Sequence, residues 1–274
     1  MEWSKLKNII ILILLLANLF LLAMVGTQER DSARYREQAI TDAVSVLERN
    51  GIRLDRANVP EELELTPLTV EREQEAEAAL AAAWLGACES SDLGSGRHAY
   101  QSAQGWAEFR SNGSFSVTFH DGSRQVEKDG GEEAHALALL KEAGLTGETV
   151  SLKENGGTVM LTLRQTWQGL PVYSCEITLQ YVDGGLRSIA GQRLMGTPQS
   201  GGDKTELISV PTALLRALNG INDLGDICNE ITAMTPGYLL NTTTDGTRLI
   251  PMWYVTTDTG AYSLNALTGV LERA

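Results

Sequence analysis

An apolar segment near the start of the chain constrains the fold more than any other feature. Residues 9–25 hold 17 positions with one polar side chain, Asn18. As a helix rising about 1.5 Å per residue the segment would extend roughly 26 Å, and Asn8, Gly26 and Thr27 bring it closer to the ~30 Å of a hydrocarbon core. The sequence therefore predicts a transmembrane helix over residues 9–26.

A cleaved signal peptide is the alternative for this segment. Signal peptides have a shorter apolar region and small residues before the cleavage site, whereas Met24 and Val25 stand there in this chain. Lys5 and Lys7 precede the segment, so the positive-inside rule predicts a cytoplasmic N-terminus. The predicted localisation is therefore single-pass in the plasma membrane, with an extracellular C-terminal domain.

Charge and cysteine content exclude some classes of protein. The 274 residues include 22 Lys+Arg and 35 Asp+Glu, a formal charge of −13. Because phosphate binding needs a basic face, this composition argues against a nucleic-acid partner. Cys88, Cys175 and Cys228 are far apart and cannot all pair, so the chain is not a disulfide scaffold.

Beyond the apolar segment the patterning predicts an α+β domain in which one arrangement occurs twice. A helix at 132–143 precedes strands at 149–153, 158–167, 172–182 and 186–194. A helix with Ser209 as N-cap and Gly220 as its end precedes strands near 227–234, 238–241, 249–257 and 261–265. Each copy thus reads as a helix followed by an antiparallel sheet, so we expect two similar helix-plus-sheet units.

These patterns give predicted boundaries along the whole chain. The segments are a cytoplasmic tail (1–8), the transmembrane helix (9–26), a helical stalk and extended linker (27–69), a helix-plus-hairpin subdomain (70–130), the first helix-plus-sheet unit (131–198) and the second (199–274). In the stalk, Ile40, Ala43, Val44 and Leu47 have helical spacing. In the subdomain, Asn112-Gly113 predicts a hairpin turn.

The search for reactive groups yields no catalytic, cofactor-binding or metal residue. His98, His120 and His135 lack the spacing of metal ligands, and no nucleophile has a recognisable base, so an enzyme is not expected. Glutamates alternate from Glu71 to Glu77 with Arg72 as the close base. We interpret them as a solvated face, with a surface for a basic partner as the alternative.

Four residues are candidate contacts with a partner protein: Trp3, Asn18, Trp167 and Trp253. Trp3 suits the headgroup layer, and Asn18 could bond a neighbouring membrane helix. Trp167 and Trp253 occupy equivalent places around Pro171 and Pro251 in the two copies. They would either fill the core of each unit or lie at an exposed edge that docks a partner.

Both ends of the chain carry a family resemblance. The first ten residues, MEWSKLKNII, resemble the start of YycI proteins of Gram-positive bacteria, and VLERNGI at 46–52 followed by Val59-Pro60 resembles their juxtamembrane segment. LIPMWYV at 249–255 and YSLNALTG at 262–269 resemble the family's closing hairpin, which is also similar to the PepSY module.

The resemblance implies a membrane-anchored accessory regulator of a two-component system. Such a protein would lie beside a YycH-like partner and adjust a sensor histidine kinase of the WalK (YycG) type, which governs cell-wall homeostasis. Contacts would be made through the membrane helices and the ectodomain, without a cofactor. The alternative is a tethered extracytoplasmic PepSY-like binding or inhibitory domain that has no kinase partner.

Overall fold

The computed structural model describes residues 3–126, 131–201 and 206–274, which form a mixed α+β fold with one large sheet. Its α-helices are α1 (Trp3–Arg49), α2 (Gln74–Leu85), α3 (Gly131–Glu142) and α4 (Val210–Asp223), and Arg56–Asn58 form a 3-10 helix. Its strands up to residue 155 are β1 (Arg53–Leu54), β2 (Leu68–Val70), β3 (Glu89–Gly94), β4 (Arg97–Gln101), β5 (Gly105–Arg110), β6 (Ser114–Phe119) and β7 (Gly147–Asn155). The remaining strands are β8 (Thr158–Trp167), β9 (Leu170–Val182), β10 (Gly185–Gln192), β11 (Gln199–Ser200), β12 (Glu230–Thr243), β13 (Gly246–Thr257), β14 (Ala261–Asn265) and β15 (Leu271–Arg273).

The sheet has two halves that meet at a single parallel pair of residues. The first half runs β3-β4-β5-β6-β10-β9-β8-β7, with every neighbour antiparallel. The second half is centred on β12 and β13, and includes β1, β2, β11, β14 and β15. Tyr238 of β12 pairs with Val172 of β9 where the halves join.

Local chemistry explains why individual elements form. In β6 the buried residues Phe115, Val117 and Phe119 alternate with more exposed ones, as expected for a strand with one face on the core. At the predicted hairpin, Asn112 Oδ1 accepts a hydrogen bond from the Ser114 amide at 3.0 Å, and Gly113 has a φ of +86° that favours glycine. The hairpin between β5 and β6 is therefore confirmed.

Each half of the sheet is covered by two helices. In the first half α2 and α3 bury residues such as Trp84, Leu139 and Leu140 against the strands. In the second half α4 packs beside the last turns of α1. The two predicted units, 131–198 and 199–274, contain α3 and α4 respectively, and α2 and α1 join the two halves from outside these units. The apolar stripe of α1 packs against α4 and β12–β15.

The segment predicted to be a stalk therefore supplies part of the second core. Its four residues at helical spacing are all buried, namely Ile40, Ala43, Val44 and Leu47. The predicted domain boundaries as a whole stay predictions. Residues 1–2 of the predicted tail, which also begin the YycI-like motif, and the end of the subdomain at residue 130 lie outside the described residues.

The apolar segment at 9–26 is part of α1, which is 47 residues long. Within the described part of the chain, no helix is both long and apolar enough to cross a membrane. The prediction of a transmembrane helix over residues 9–26 is therefore wrong for the described residues, because a membrane span needs about 20 consecutive, predominantly apolar residues.

His135 on α3 is held against a buried tyrosine. Its Nδ1 lies 3.0 Å from the hydroxyl of Tyr181, which is fully buried in the first core. Burial lowers the pKa of His135 below its ordinary value of 6.5, and the Arg124 cation lowers it further, while Glu142 partly opposes both. The imidazole is therefore favoured in its neutral form.

This environment predicts a pH dependence of folding stability. A histidine whose pKa is lowered by folding binds fewer protons in the folded state, so its contribution to stability is lost as pH falls through the unfolded-state value towards the folded one. Urea unfolding at about pH 7.5 and about pH 5.5 should show lower stability at the acid value, with a smaller loss in His135→Gln. His120→Gln, in an exposed turn, is the control and should keep the full loss. An unchanged loss in His135→Gln would contradict the prediction.

Candidate functional site

The four predicted partner contacts lie in four different environments. Trp3 is 82 % exposed at the start of α1, and Asn18 donates through its side-chain amide to the Leu14 carbonyl one turn earlier, at 3.0 Å. Trp253 is 0 % exposed within the second core, so it presents no surface to a partner. Trp167 is half-buried at the end of β8. The fold does not bring these residues together.

Trp167 lines a cleft of about 320 Å³ between α2 and the carboxyl end of α3. One wall is the face of α2 that carries Ala76, Ala79 and Ala83, which lie on one side of the helix because they are spaced three and four residues apart. Alanines have no atoms beyond Cβ, so this wall is shallow and open to close approach by another backbone. The turn after α3, the end of β8 and residues 193–198 complete the lining.

A buried carboxylate bound by two arginines lies beside this cleft, which Arg193 lines. Glu77 is 0 % exposed and accepts two hydrogen bonds from Arg72, both at 2.9 Å. Arg193 is 2 % exposed and its terminal nitrogen lies 3.3 Å from the same carboxylate. Two guanidinium groups thus share one carboxylate, which leaves this cluster with a net positive charge.

Backbone carbonyls satisfy part of the remaining donor capacity. Arg72 donates to the Gly96 carbonyl at 2.7 Å, and Arg193 donates to the Leu194 carbonyl at 2.6 Å. The Arg193 guanidinium also lies over the ring of Phe109, 5.2 Å from its centroid. Burial lowers the pKa of Arg193, and the Arg72 cation adds to that effect while Glu77 opposes it. Keeping Arg193 charged in the interior therefore costs desolvation free energy.

Two donor atoms beside the cleft are buried and unsatisfied in the described part of the chain. Among the described residues, Nε of Arg193 and Nε1 of Trp167 are buried without a hydrogen-bond partner. The side-chain oxygen of Gln165, another residue of the lining, already accepts from the Leu194 amide at 2.9 Å. Both donor atoms have almost no accessible surface, so the fold itself leaves these two donors unsatisfied.

The sequence interpretation missed this cluster. The row from Glu71 to Glu77 was expected to be a solvated face, and that expectation is wrong for Glu77, whose side chain points into the core. The available signal was Arg72, a base five residues before Glu77. Arg193 gave no signal at all, because it lies more than a hundred positions away along the chain.

A second polar cluster marks the junction of the two sheet halves. The rings of Tyr173 and Tyr254 stack with centroids 4.2 Å apart and planes within 3°. The Arg164 guanidinium covers Tyr173 at 4.6 Å from its centroid and donates to Glu176 at 2.7 Å. Gly237 makes the approach possible, since a Cβ there would lie 2.5 Å from the Tyr173 ring. The stack joins β9 to β13, and Gly237 of β12 lies against it.

The described histidines, cysteines and carboxylates give little support for metal binding or thiol chemistry. There, no group of three or more His, Cys, Asp or Glu side chains could hold a metal ion. The three cysteines are unpaired, and burial raises the pKa of Cys175 to about 12, so this thiol stays protonated at neutral pH.

Comparison with known proteins gives two distant structural similarities. No protein-family model and no curated protein matches the chain. An uncharacterised protein from Eubacterium rectale is similar in structure, with a TM-score of 0.42 and 14 % identity over 81 % of this chain and 85 % of that one. The Bacillus megaterium YpeB C-terminal domain is similar with a TM-score of 0.39 and 13 % identity, over 75 % of this chain and 98 % of that domain. The resemblance to YycI proteins stays a prediction from the two ends of the sequence.

Proposed function

We propose that this chain is an accessory regulator of a sensor histidine kinase of the WalK (YycG) type. It acts by protein–protein contact of its α+β body, on the extracytoplasmic side of the plasma membrane, together with a YycH-like protein. The motifs at 1–10 and 249–269 support the choice of partner. The cleft beside Trp167 supports the mode of action.

The cleft is the observation that carries this proposal. It is already formed in the free chain, and it has a shallow alanine wall and a half-buried tryptophan. Tryptophans in such positions often anchor protein interfaces. The shallow wall admits an extended backbone segment, because alanines have no atoms beyond Cβ. A segment of the kinase or of the YycH-like protein would lie along α2 and contact Trp167.

Filling the cleft should abolish the contact. Ala79 is exposed on the cleft wall, so Ala79→Trp adds an indole to the space that a partner segment would occupy. The affinity-tagged full chain, recovered from cells in mild detergent, should bring down a sensor kinase and a YycH-like protein. We expect Ala79→Trp to recover at least about tenfold less of both, equivalent to about 1.4 kcal/mol of binding free energy.

Ala82→Trp is the matched control, because Ala82 is exposed on the same helix and lies outside the cleft lining. It should recover wild-type amounts of both proteins. A wild-type sample that brings down no sensor kinase would refute the proposed partner. Equal recovery with Ala79→Trp and wild type, both folded by circular dichroism, would refute the role of the cleft.

A further inference from the structure

We infer that a second surface, formed by α1, residues 56–65 and the start of α4, docks a basic amphipathic helix of a partner protein. This α1 groove consists of two adjoining cavities of about 510 and 330 Å³. The cavities share Arg36, Ile40, Glu61 and Glu62. They therefore form one continuous depression along the last exposed turns of α1.

The floor of the α1 groove is apolar. Ile40 is buried at its centre, and Leu63, Leu207 and Ile208 are half-buried side chains that pack against the second core from the groove side. These leucine and isoleucine side chains keep part of their surface in water. A partner that covers them gains the free energy of removing apolar area from solvent.

The rim of the α1 groove is acidic. It carries five glutamates, Glu37, Glu61, Glu62, Glu64 and Glu206, against two arginines, Arg36 and Arg56. Arg36 is already paired with Glu62, and Arg56 donates to the Val59 carbonyl at 2.8 Å. The rim thus has a formal charge of −3, five glutamates less two arginines. Within the described residues no ion pair neutralises the other four carboxylates.

The apolar floor and the acidic rim together indicate which kind of partner would bind in the α1 groove. An apolar floor between two acidic rims complements a helix whose apolar face carries anchors at i, i+3, i+4 and i+7 and whose flanks carry Lys or Arg. A nucleic acid would be repelled by the glutamates. A second copy of this chain is disfavoured as well, because each copy has a formal charge of −13. This proposal concerns a different surface from the cleft beside Trp167 and does not depend on that cleft.

The test measures binding of a defined probe to the full chain. The probe is a fluorescein-labelled peptide of about 18 residues that contains only Leu and Lys and is patterned as an amphipathic helix. A scrambled peptide of the same composition is the matched probe without an apolar face. Fluorescence anisotropy should show saturable binding of the patterned peptide, at least about tenfold tighter than that of the scrambled one.

Two sets of variants with the same charge change separate the groove from the acidic surface in general. Glu37→Gln, Glu61→Gln and Glu64→Gln together neutralise the rim, and Glu71→Gln, Glu75→Gln and Glu154→Gln together neutralise three exposed glutamates elsewhere. We expect the rim variant to weaken binding about tenfold or more and the matched variant to weaken it less than about threefold. Equal weakening by both sets would overturn the proposal.

A second measurement tests whether the α1 groove is instead an interface between two copies of this chain. Sedimentation of the full chain without the probe should show the same mass for wild type and rim variant. A wild-type dimer that dissociates in the rim variant, or equal binding of the patterned and scrambled peptides, would also overturn the proposal. Since neither assay contains a kinase, their outcome is separate from that of the Ala79→Trp experiment.

Discussion

Replacing Glu77 by alanine should lower the free energy of unfolding by about 3–5 kcal/mol. The carboxylate lies between Arg72 and Arg193 and is fully buried, so its removal leaves two guanidinium groups facing each other in the interior. A buried charge that loses its partner keeps its desolvation cost without the compensating attraction. Urea unfolding of the full chain, followed by circular dichroism, measures the loss.

Glu75→Ala is the matched control because Glu75 is on the same helix and is exposed. Its effect should stay within about 0.5 kcal/mol, as for most surface substitutions. The triple replacement Arg72→Met, Glu77→Met and Arg193→Met should recover most of the stability that Glu77→Ala loses, because apolar groups of similar volume fill the site without unpaired charge. A Glu77→Ala variant no less stable than Glu75→Ala would show that the cluster is solvated in solution.

Replacing Trp253 by alanine should cost about 3–5 kcal/mol of folding stability. Trp253 is 0 % exposed and packs in the core that α1 and α4 form with β12–β15, so its loss opens a large cavity. Trp167→Ala should lower the folding stability distinctly less, because the Trp167 side chain is only half-buried at the cleft. Thermal unfolding of the two variants side by side gives the comparison.

Trp253→Phe separates packing from hydrogen bonding at this position. Within the described residues the indole Nε1 of Trp253 is buried without an acceptor, so phenylalanine loses no hydrogen bond. We expect Trp253→Phe to lose less than half the stability that Trp253→Ala loses. Equal losses in the alanine variants of Trp253 and Trp167 would contradict the placement of Trp253 in the core.

Predictions that rest on local pattern agree with the structure at several elements. The strand predicted at 158–167 is β8 with the same bounds, and Ser209 is the N-cap residue of α4. Gly220 was expected to end that helix, but α4 continues to Asp223. A Cβ at Gly220 would lie 2.5 Å from Leu271, so the glycine allows close packing against β15. The sequence alone could not show that contact.

The break expected between the strands at 227–234 and 238–241 is absent, because β12 runs unbroken from Glu230 to Thr243. Pro236 lies between the pairing with β1 at Ile231 and the pairing with β9 at Tyr238. Over that interval β12 pairs with β13 alone among the described strands, so a residue without an N–H can be tolerated there. Whether Pro236 interrupts the strand therefore depends on which strands, distant in sequence, pair with β12 beside it.

Of the residues that form the candidate site, only Trp167 was predicted from the sequence. Its other parts come from chain segments that are far apart: Arg72 and Glu77 lie around the start of α2, and Arg193 follows β10. The α1 groove combines a helix, an extended segment and the start of α4, in the same way. Glutamates at 71, 73, 75 and 77 look alike along the chain, yet Glu77 alone contacts both arginines.

The sequence by itself determined the alternation of its strands, the turn at Asn112-Gly113 and the apolar stripe of α1, since these depend on residues within one or two turns of each other. Tertiary structure alone decided that this stripe meets α4, that Glu77 is buried between two arginines, and that the apolar side chains described over residues 11–22 are exposed. The physical reason is that burial and desolvation depend on which distant surfaces come into contact, and a local pattern carries no information about its partner.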